Sequence, residues 1–298
     1  MFEELKSFIT VVELKNFTKA AEKLSLSQPS VSVHIKNLEN HFGVKLIDRS
    51  VKQKSIAITD RGYLLYRRAK EIIELMDTTV QEVKNYSENI SGSLRIGASL
   101  TIGEFLLPEL IAYFSEKYPD VNIEVFIENT SKIANMVKNL SIDIGIIEGN
   151  ISSSDFNQTF FYKDEMVLAF PYSEKSLIHK KDYRDLISGR KWVARESGSG
   201  TRDFLDMFLS QNKITPESIT VLGSNFAVKE AVKNNMGITL LSKLICKRAE
   251  RKEEIVCVSP DETYVRNFSY IVSKNITPSR AATVFIDELK SYSESLCI

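Results

Sequence analysis

Two short helical stretches across a four-residue break, followed at once by two short apolar runs flanking a basic tip, constrain the fold of the first sixty residues more than any other feature. Leu5, Phe8, Ile9 and Val12 recur at helical spacing, and Asn16 ends this first amphipathic helix. Thr18 is placed to cap a second helix, whose paired Ala20 and Ala21 allow a neighbour to approach closely. Beyond the break at Ser25-Leu26-Ser27, Ser27 caps a third helix, Pro29 suits its first turn, and Val31, Ile35 and Leu38 fall at i, i+4 and i+7. This is the sequence form of a helix-turn-helix.

With Val31, Ile35 and Leu38 inward, the opposite face of the third helix carries Gln28, Pro29, Ser32, Val33 and Lys36. Gln28 can pair with adenine, Ser32 can bond to a base or a phosphate, and Val33 can touch a thymine methyl. On the helix alone, a solvated face in a small bundle is an equal alternative. The residues beyond the helix decide for a wing. Gly43 ends the helix, and Val44-Lys45-Leu46-Ile47 and Ser55-Ile56-Ala57-Ile58-Thr59 read as two strands of a hairpin joined by Arg49-Ser50-Val51-Lys52-Gln53-Lys54. Residues 36–54 hold five basic side chains (Lys36, Lys45, Arg49, Lys52, Lys54) against the acidic Glu39 and Asp48. The whole chain balances 39 Lys plus Arg against 39 Asp plus Glu. That balance excludes indiscriminate coating of nucleic acid or anionic membrane, but leaves room for one focused basic contact.

Ala20-Ala21, Leu26-Ser27-Gln28-Pro29-Ser30-Val31-Ser32, Ile35, Leu38-Glu39, Gly43, Leu46, Arg49 and Ile58-Thr59-Asp60-Arg61-Gly62, in this order and spacing, resemble the DNA-binding domain of the LysR-type transcriptional regulators. The resemblance implies base contacts from Gln28, Pro29, Ser32 and Val33, with Lys36 nearby and Arg49 toward the phosphates. Thr18 and Ser30 complete the candidate surface on the helices, and Lys52 and Lys54 complete it on the wing. Val33 departs from the family, whose members often carry Arg or another polar residue where guanine would be read.

From Thr59-Asp60 onward, Leu65, Ala69, Ile72, Met76, Val80 and Val83 alternate spacings of three and four, the seam of a short coiled coil. The pattern also suits a helix packed on its own domain, whereas the resemblance implies a helix that pairs two DNA-binding domains. Polar residues from Asn85 to Ser93 mark a hinge. Strand and helix patterns then alternate in two sets. The first comprises Leu94 to Ala98, Phe105 to Phe114, Val121 to Ile127, Ile133 to Val137 and Ile142 to Ile147. The second comprises Glu165 to Phe170, Lys191 to Arg195, a helix from Thr201, Ile219 to Leu222, Phe226 to Asn234 and Gly237 to Leu241. Such alternation predicts α/β subdomains on a mostly parallel sheet, with a ligand cleft between them. A last strand, Phe268 to Val272, and a helix from Pro278 return to the first subdomain.

The expected organisation is a winged helix-turn-helix domain, all-α plus a wing, at 1–62, a linker helix and hinge at 63–90, and an α/β effector-binding domain at 91–298. Within the last, subdomain I covers about 91–162 and 267–298 and subdomain II about 163–266. This part resembles the periplasmic-binding-protein-like effector domain of LysR-type regulators.

Glu196-Ser197-Gly198-Ser199-Gly200-Thr201-Arg202 leaves a strand and opens a helix. Its glycines permit several N–H groups to converge at a helix N-terminus, Ser199 and Thr201 add hydroxyls, and Arg202 can pair with an acid. A glycine-rich turn with an ordinary cap is the alternative. The P-loop spacing and its lysine are missing, so nucleotide hydrolysis has no support. Ala98-Ser99-Leu100-Thr101 and Gly223-Ser224-Asn225 repeat the arrangement, and Asn129-Thr130 follows another strand. The resemblance implies effector contacts at Ser99, Thr101 and Thr201. The full candidate set is Ser99, Leu100, Thr101, Asn129, Ser197, Gly198, Ser199, Thr201, Arg202 and Ser224. The loop is similar to that of members acting in sulfur or carbon assimilation, which implies a small inorganic anion, a phosphorylated metabolite or a carboxylate.

The expected protein is therefore a cytoplasmic regulator, not an enzyme, that binds double-stranded DNA as a homodimer or homotetramer, takes a small anionic effector, needs no cofactor and has no membrane partner. The N-terminus has no signal-peptide pattern, and Cys246, Cys257 and Cys297 form no CxxC motif. Alternatives are a cysteine-based redox-sensing regulator of the same family, or an α/β solute-binding protein or enzyme. No nucleophile and base, nor paired carboxylates, stand together in the sequence to favour an enzyme.

Overall fold

A computed structural model describes residues 1–49, 56–84, 90–151, 153–178, 183–260 and 264–296, with the backbone alone described at Arg49, Thr78, Gln81, Glu82, Lys84 and Leu296. The chain forms two compact units, Met1–Glu88 and Asn89–Ile298.

The first unit opens with α1 (Phe2–Leu14), α2 (Phe17–Lys23) and α3 (Gln28–Phe42). Leu5, Phe8 and Val11 of α1, Ala20 and Ala21 of α2, and Val31, Ile35 and Leu38 of α3 share one core, as the helical spacing requires. Ser27 caps α3 by accepting from the Ser30 N–H at 3.2 Å. The cap of α2 is not Thr18. Asn16 stands in extended backbone and its Oδ1 accepts from Thr18 and Lys19 N–H at 2.9 and 3.0 Å, so Thr18 lies inside the first turn. β1 (Ile47–Arg49) and β2 (Ile56–Ile58) pair antiparallel and are shorter than the apolar runs. Val44 to Leu46 are instead held by Glu39 of α3, whose Oε1 accepts the Leu46 and Ile47 N–H groups while Oε2 meets Lys45 at 3.1 Å. The helix α4 (Asp60–Lys84) packs Leu65, Ala69 and Ile73 on this core. Farther along, Ile72, Leu75, Met76 and Val83 are exposed.

The second unit contains β3 (Gly92–Ser99), α5 (Leu100–Phe105), α6 (Leu107–Lys117), β4 (Val121–Glu128), α7 (Thr130–Lys138), β5 (Ile144–Glu148) and the long β6 (Phe156–Pro171). Pro108 starts α6 afresh, which splits the single helix expected there. Short helices α8 (Lys175–Ile178) and α9 (Tyr183–Ile187) precede β7 (Lys191–Arg195), α10 (Gly200–Gln211), β8 (Ser218–Leu222), α11 (Asn225–Lys233), β9 (Thr239–Ser242) and α12 (Lys243–Arg251). The chain then runs through β10 (Ile255–Val258), β11 (Val265–Ser273) and α13 (Arg280–Leu296).

The main sheet runs β10-β6-β11-β5-β3-β4, with β9 also on β6. It is mixed rather than mostly parallel. β3 pairs in parallel with β4 and β5, but β6 and β11 carry the chain between two lobes in opposite directions and pair antiparallel along nine registered residue pairs. One lobe has its core on Leu94, Ile96, Leu110, Phe114 and Phe285. The other centres on Trp192, Leu205, Phe208 and Leu240, with the Trp192 and Phe208 rings 6.2 Å apart. The C-terminal ends of β3, β4 and β5 and the N-terminal turn of α10 meet where the two lobes face each other, and the crossover strands lie behind them.

Candidate functional site

On the first unit, Gln28, Pro29, Val33 and Lys36 of α3 are exposed, and Val33 keeps 54% of its surface. Gln28 Nε2 donates to Ser32 Oγ at 2.9 Å, which holds both side chains along the outer face of the helix. The Ser30 hydroxyl is 2.7 Å from that of Ser27 and so belongs to the cap. From behind, His34 Nδ1 lies 2.7 Å from Ser7 Oγ and fixes α3 against α1. At the foot of the wing, the Thr59 hydroxyl donates to the Lys45 carbonyl at 2.9 Å and accepts from the Gly62 N–H, tying β2 to the start of α4. The Arg49 backbone ends β1, and Lys52 and Lys54 lie outside the described residues.

In the second unit, the predicted loops meet around charges that the sequence patterns do not single out. Glu148 ends β5 with its side chain 2% exposed. Its Oε1 accepts the Thr101 N–H at 2.9 Å, and its Oε2 accepts the Thr201 hydroxyl at 3.0 Å and Arg266 Nη1 at 2.6 Å. Arg266, on β11, also donates to Thr201 Oγ1 at 2.9 Å, to Thr101 Oγ1 at 3.1 Å and, through Nε, to Asp164 at 2.7 Å. Asp164 is completed by the Ser242 hydroxyl at 2.6 Å. Burial on its own raises the Glu148 carboxyl, but the Arg266 charge and the bonds from Thr101 and Thr201 outweigh it and hold Glu148 below the usual carboxylate range. At Asp164 burial wins over the shared Arg266, and the carboxyl is raised.

The network continues outward. Asn225 Nδ2 donates to Thr101 Oγ1 at 3.1 Å, and Asn225 Oδ1 accepts from Arg195 Nη1 at 2.7 Å. Arg195, ending β7, grips Glu196 with two bonds of 2.8 Å. Asn129 caps α7 and reaches Glu196 Oε1 at 3.2 Å. The two lips also touch through the Ser131 N–H and the Gly198 carbonyl at 3.1 Å. Gly198 has φ +84° and a Cβ there would stand 3.0 Å from Ser131 Oγ, whereas at Gly200 a Cβ would fall 2.6 Å from the Glu148 carbonyl oxygen. Both glycines are therefore required for the loop to close on the neighbouring lobe.

Thr101, Thr201 and Ser199 are buried at this junction, with Ser99 beside them at the end of β3. The Ser99 Oγ and the Thr130 Oγ1 are buried and have no hydrogen-bond partner among the described residues. Leu100 and Asn129 are half-buried, and Ser197 is exposed. Ser224 spends its hydroxyl on capping α11, accepting from the Ala227 N–H at 3.1 Å. Arg202 turns to Asp206, at 2.8 and 2.9 Å, and to the Arg195 carbonyl.

Residues 2–63 match the family model described as "Bacterial regulatory helix-turn-helix protein, lysR family", and residues 87–294 match "LysR substrate binding domain". The chain belongs to the LysR family of transcriptional regulators. It is similar to the HTH-type transcriptional regulator CysL of Bacillus subtilis, 40% identical over 295 residues that cover 99% of this chain and 98% of that one. Full-length OxyR from Pseudomonas aeruginosa shares the fold with a TM-score of 0.77 at 18% identity, over 97% of this chain and 94% of that chain. The regulatory domain of CcmR from Synechocystis, solved in complex with 2-PG, shares it with a TM-score of 0.63 at 23% identity, over 69% of this chain and 99% of that one.

As a LysR-family regulator the chain carries a DNA-binding helix-turn-helix domain and an effector-binding domain, and its relatives are regulators rather than enzymes. No helix among the described residues is long and apolar enough to cross a membrane. The residues missed in the effector-binding domain are Glu148, Asp164, Arg195, Asn225 and Arg266. A sequence signal for three of them exists: Glu148 and Arg195 each end an apolar strand run, and Arg266 stands at the start of one. A charge adjoining a buried strand must be paired when the strand end is buried.

Proposed function

We propose that this LysR-family regulator reads its operator through Gln28, Pro29, Ser32 and Val33, with Lys36 and the basic wing on the phosphates, and responds to a small acidic effector between the two lobes. The observation that carries the effector reading is the pair of orphan hydroxyls, Ser99 Oγ and Thr130 Oγ1, sealed at the ends of neighbouring parallel strands. A buried hydroxyl without a partner is costly and is the group a ligand oxygen would satisfy. The first turn of α7 favours negative charge beside Thr130. The binding of 2-PG by the CcmR regulatory domain, which has the same fold, supports a compact acidic ligand.

The exposed apolar stripe of Ile72, Leu75, Met76 and Val83 on α4 supports a homodimer through that helix, with a tetramer as a further step. Effector occupancy then biases the placement of two winged domains through lobe closure. The test is thermal melting against sulfate, phosphate and small carboxylates, followed by footprinting on the promoter with the ligand that shifts the melt. A ligand at a hundredfold excess over its Kd adds about 2.7 kcal/mol. The reading fails if no acid raises the melt, or if Ser99→Ala with Thr130→Val leaves the shift unchanged.

A further inference from the structure

Thr101 N–H, the Thr201 hydroxyl and Arg266 Nη1 form a converging set of donors, the arrangement that would hold an oxyanion, and a carboxylate of the chain itself fills it. Glu148 reaches it from β5, nearly without solvent contact, and the close fit of Gly200 over the Glu148 backbone leaves it little freedom to withdraw. The geometry points to Glu148 as a specificity-determining residue, a resident carboxylate that denies these central donors to outside anions and confines an effector's acid group to the Ser99 and Thr130 end. This rests on the cleft being the effector site.

Charge supports the assignment. One guanidinium faces two buried carboxylates, Glu148 at 2.6 Å and Asp164 at 2.7 Å, so the sealed group has no positive charge to spare. The second buried guanidinium, Arg195, is engaged by Glu196. An added oxyanion at Thr101 and Thr201 would meet Glu148 directly and could gain Arg266 only by displacing it. A small acid that leaves Glu148 in place has the free hydroxyls of Ser99 and Thr130 to satisfy. The two tasks, closing the lobes and taking the effector, thus fall to different donors.

The experiment is thermal melting of the full chain with inorganic sulfate, against sodium chloride at equal ionic strength, for wild type, Glu148→Gln, Glu148→Ala, and Glu148→Ala combined with Thr201→Val. In Glu148→Ala the donors are released, and half-saturating sulfate falls at least about tenfold below wild type, whereas Glu148→Gln keeps the site filled by its amide and gains less; adding Thr201→Val to Glu148→Ala reverses the gain. A variant that is only partly folded still decides the matter, because sulfate bound at the released donors must restore its melt. Equal sulfate dependence in wild type and Glu148→Ala overturns the assignment. The reading of the cleft as effector site fails separately, on a wild-type protein that answers to no acid, while the sulfate gain of the variants stands.

Discussion

The Arg266 guanidinium and the Glu148 carboxylate meet at 2.6 Å with side chains only 1% and 2% exposed, across the junction of a crossover strand and the end of β5. Removing the cation leaves Glu148 and Asp164 buried together without a counter-charge. Arg266→Met is expected to cost the effector-binding domain about 3–5 kcal/mol, the range for breaking a buried pair by deleting one partner. Urea unfolding followed by the fluorescence of the single tryptophan, Trp192, which is buried in the second lobe, measures it directly. A variant as stable as the wild type would show that the pair contributes only its shape.

The two carboxylates that share Arg266 respond to acid in opposite directions. Glu148 is held below its ordinary value, so its stabilisation is present above the ordinary carboxylate range and is lost as pH falls through the lowered value. Asp164 is raised, so it favours the folded state while protonated, and that contribution fades as pH rises through the raised value. Asp164→Asn keeps an acceptor for Arg266 and removes the opposing term. Its stability should therefore fall more steeply than wild type as pH falls through the ordinary carboxylate range, while Glu148→Gln flattens the fall. Unfolding free energies across that range check both slopes, and parallel curves for all three proteins would refute the assignment.

On the recognition helix, Gln28 is expected to contribute base readout and Lys36 only phosphate affinity. Gln28→Ala should weaken operator binding by about 1–3 kcal/mol and relax the preference at one base pair. The loss is tempered because wild-type Gln28 must first exchange its 2.9 Å bond to Ser32. Lys36→Ala should weaken specific and random DNA alike and reduce the salt slope by about one. Titrations on operator and scrambled duplexes at several salt concentrations separate the two, and a Gln28→Ala loss equal on both duplexes would remove Gln28 from base readout.

The winged domain is legible in the sequence because its signals are local. Ser27 and Gly43 bound α3, and the i, i+4, i+7 pattern of Val31, Ile35 and Leu38 leaves one orientation for the helix. Thr18 has the right side chain for a cap, but Asn16 takes the role: its Oδ1 accepts the Thr18 and Lys19 N–H groups, which starts the helix at Phe17 and leaves Thr18 inside the first turn. In the second unit the strands are readable but their directions are not, because periodicity carries no information on pairing and the antiparallel crossover of β6 and β11 joins residues about a hundred positions apart. The centre of the cleft is hidden for the same reason. Arg266 stands 118 positions from Glu148 and 102 from Asp164, and their chemistry exists only once the crossover strands bring them together.

The two neighbouring thiols, Cys246 buried and Cys257 half-buried, offer a last test, which bears on redox sensing as an alternative. Cys246 on α12 and Cys257 on β10 pack against the same core, and the Cys257 N–H donates to Glu250 at 3.3 Å. The neighbouring Cys246 thiol, burial and the nearby negative charge of Glu250 push the Cys257 thiol far above the ordinary range. Peroxide attacks the thiolate, so a Cys257 thiol kept protonated at neutral pH is a slow target despite its proximity to Cys246. Cys246→Ser with Cys257→Ser is therefore expected to leave DNA binding and effector response as in wild type, with or without peroxide. Mass spectrometry of alkylated protein should find both thiols free after brief peroxide exposure. Rapid formation of a Cys246–Cys257 disulfide, accompanied by a change in operator affinity that the double variant lacks, would reverse this conclusion and make the pair a sensor.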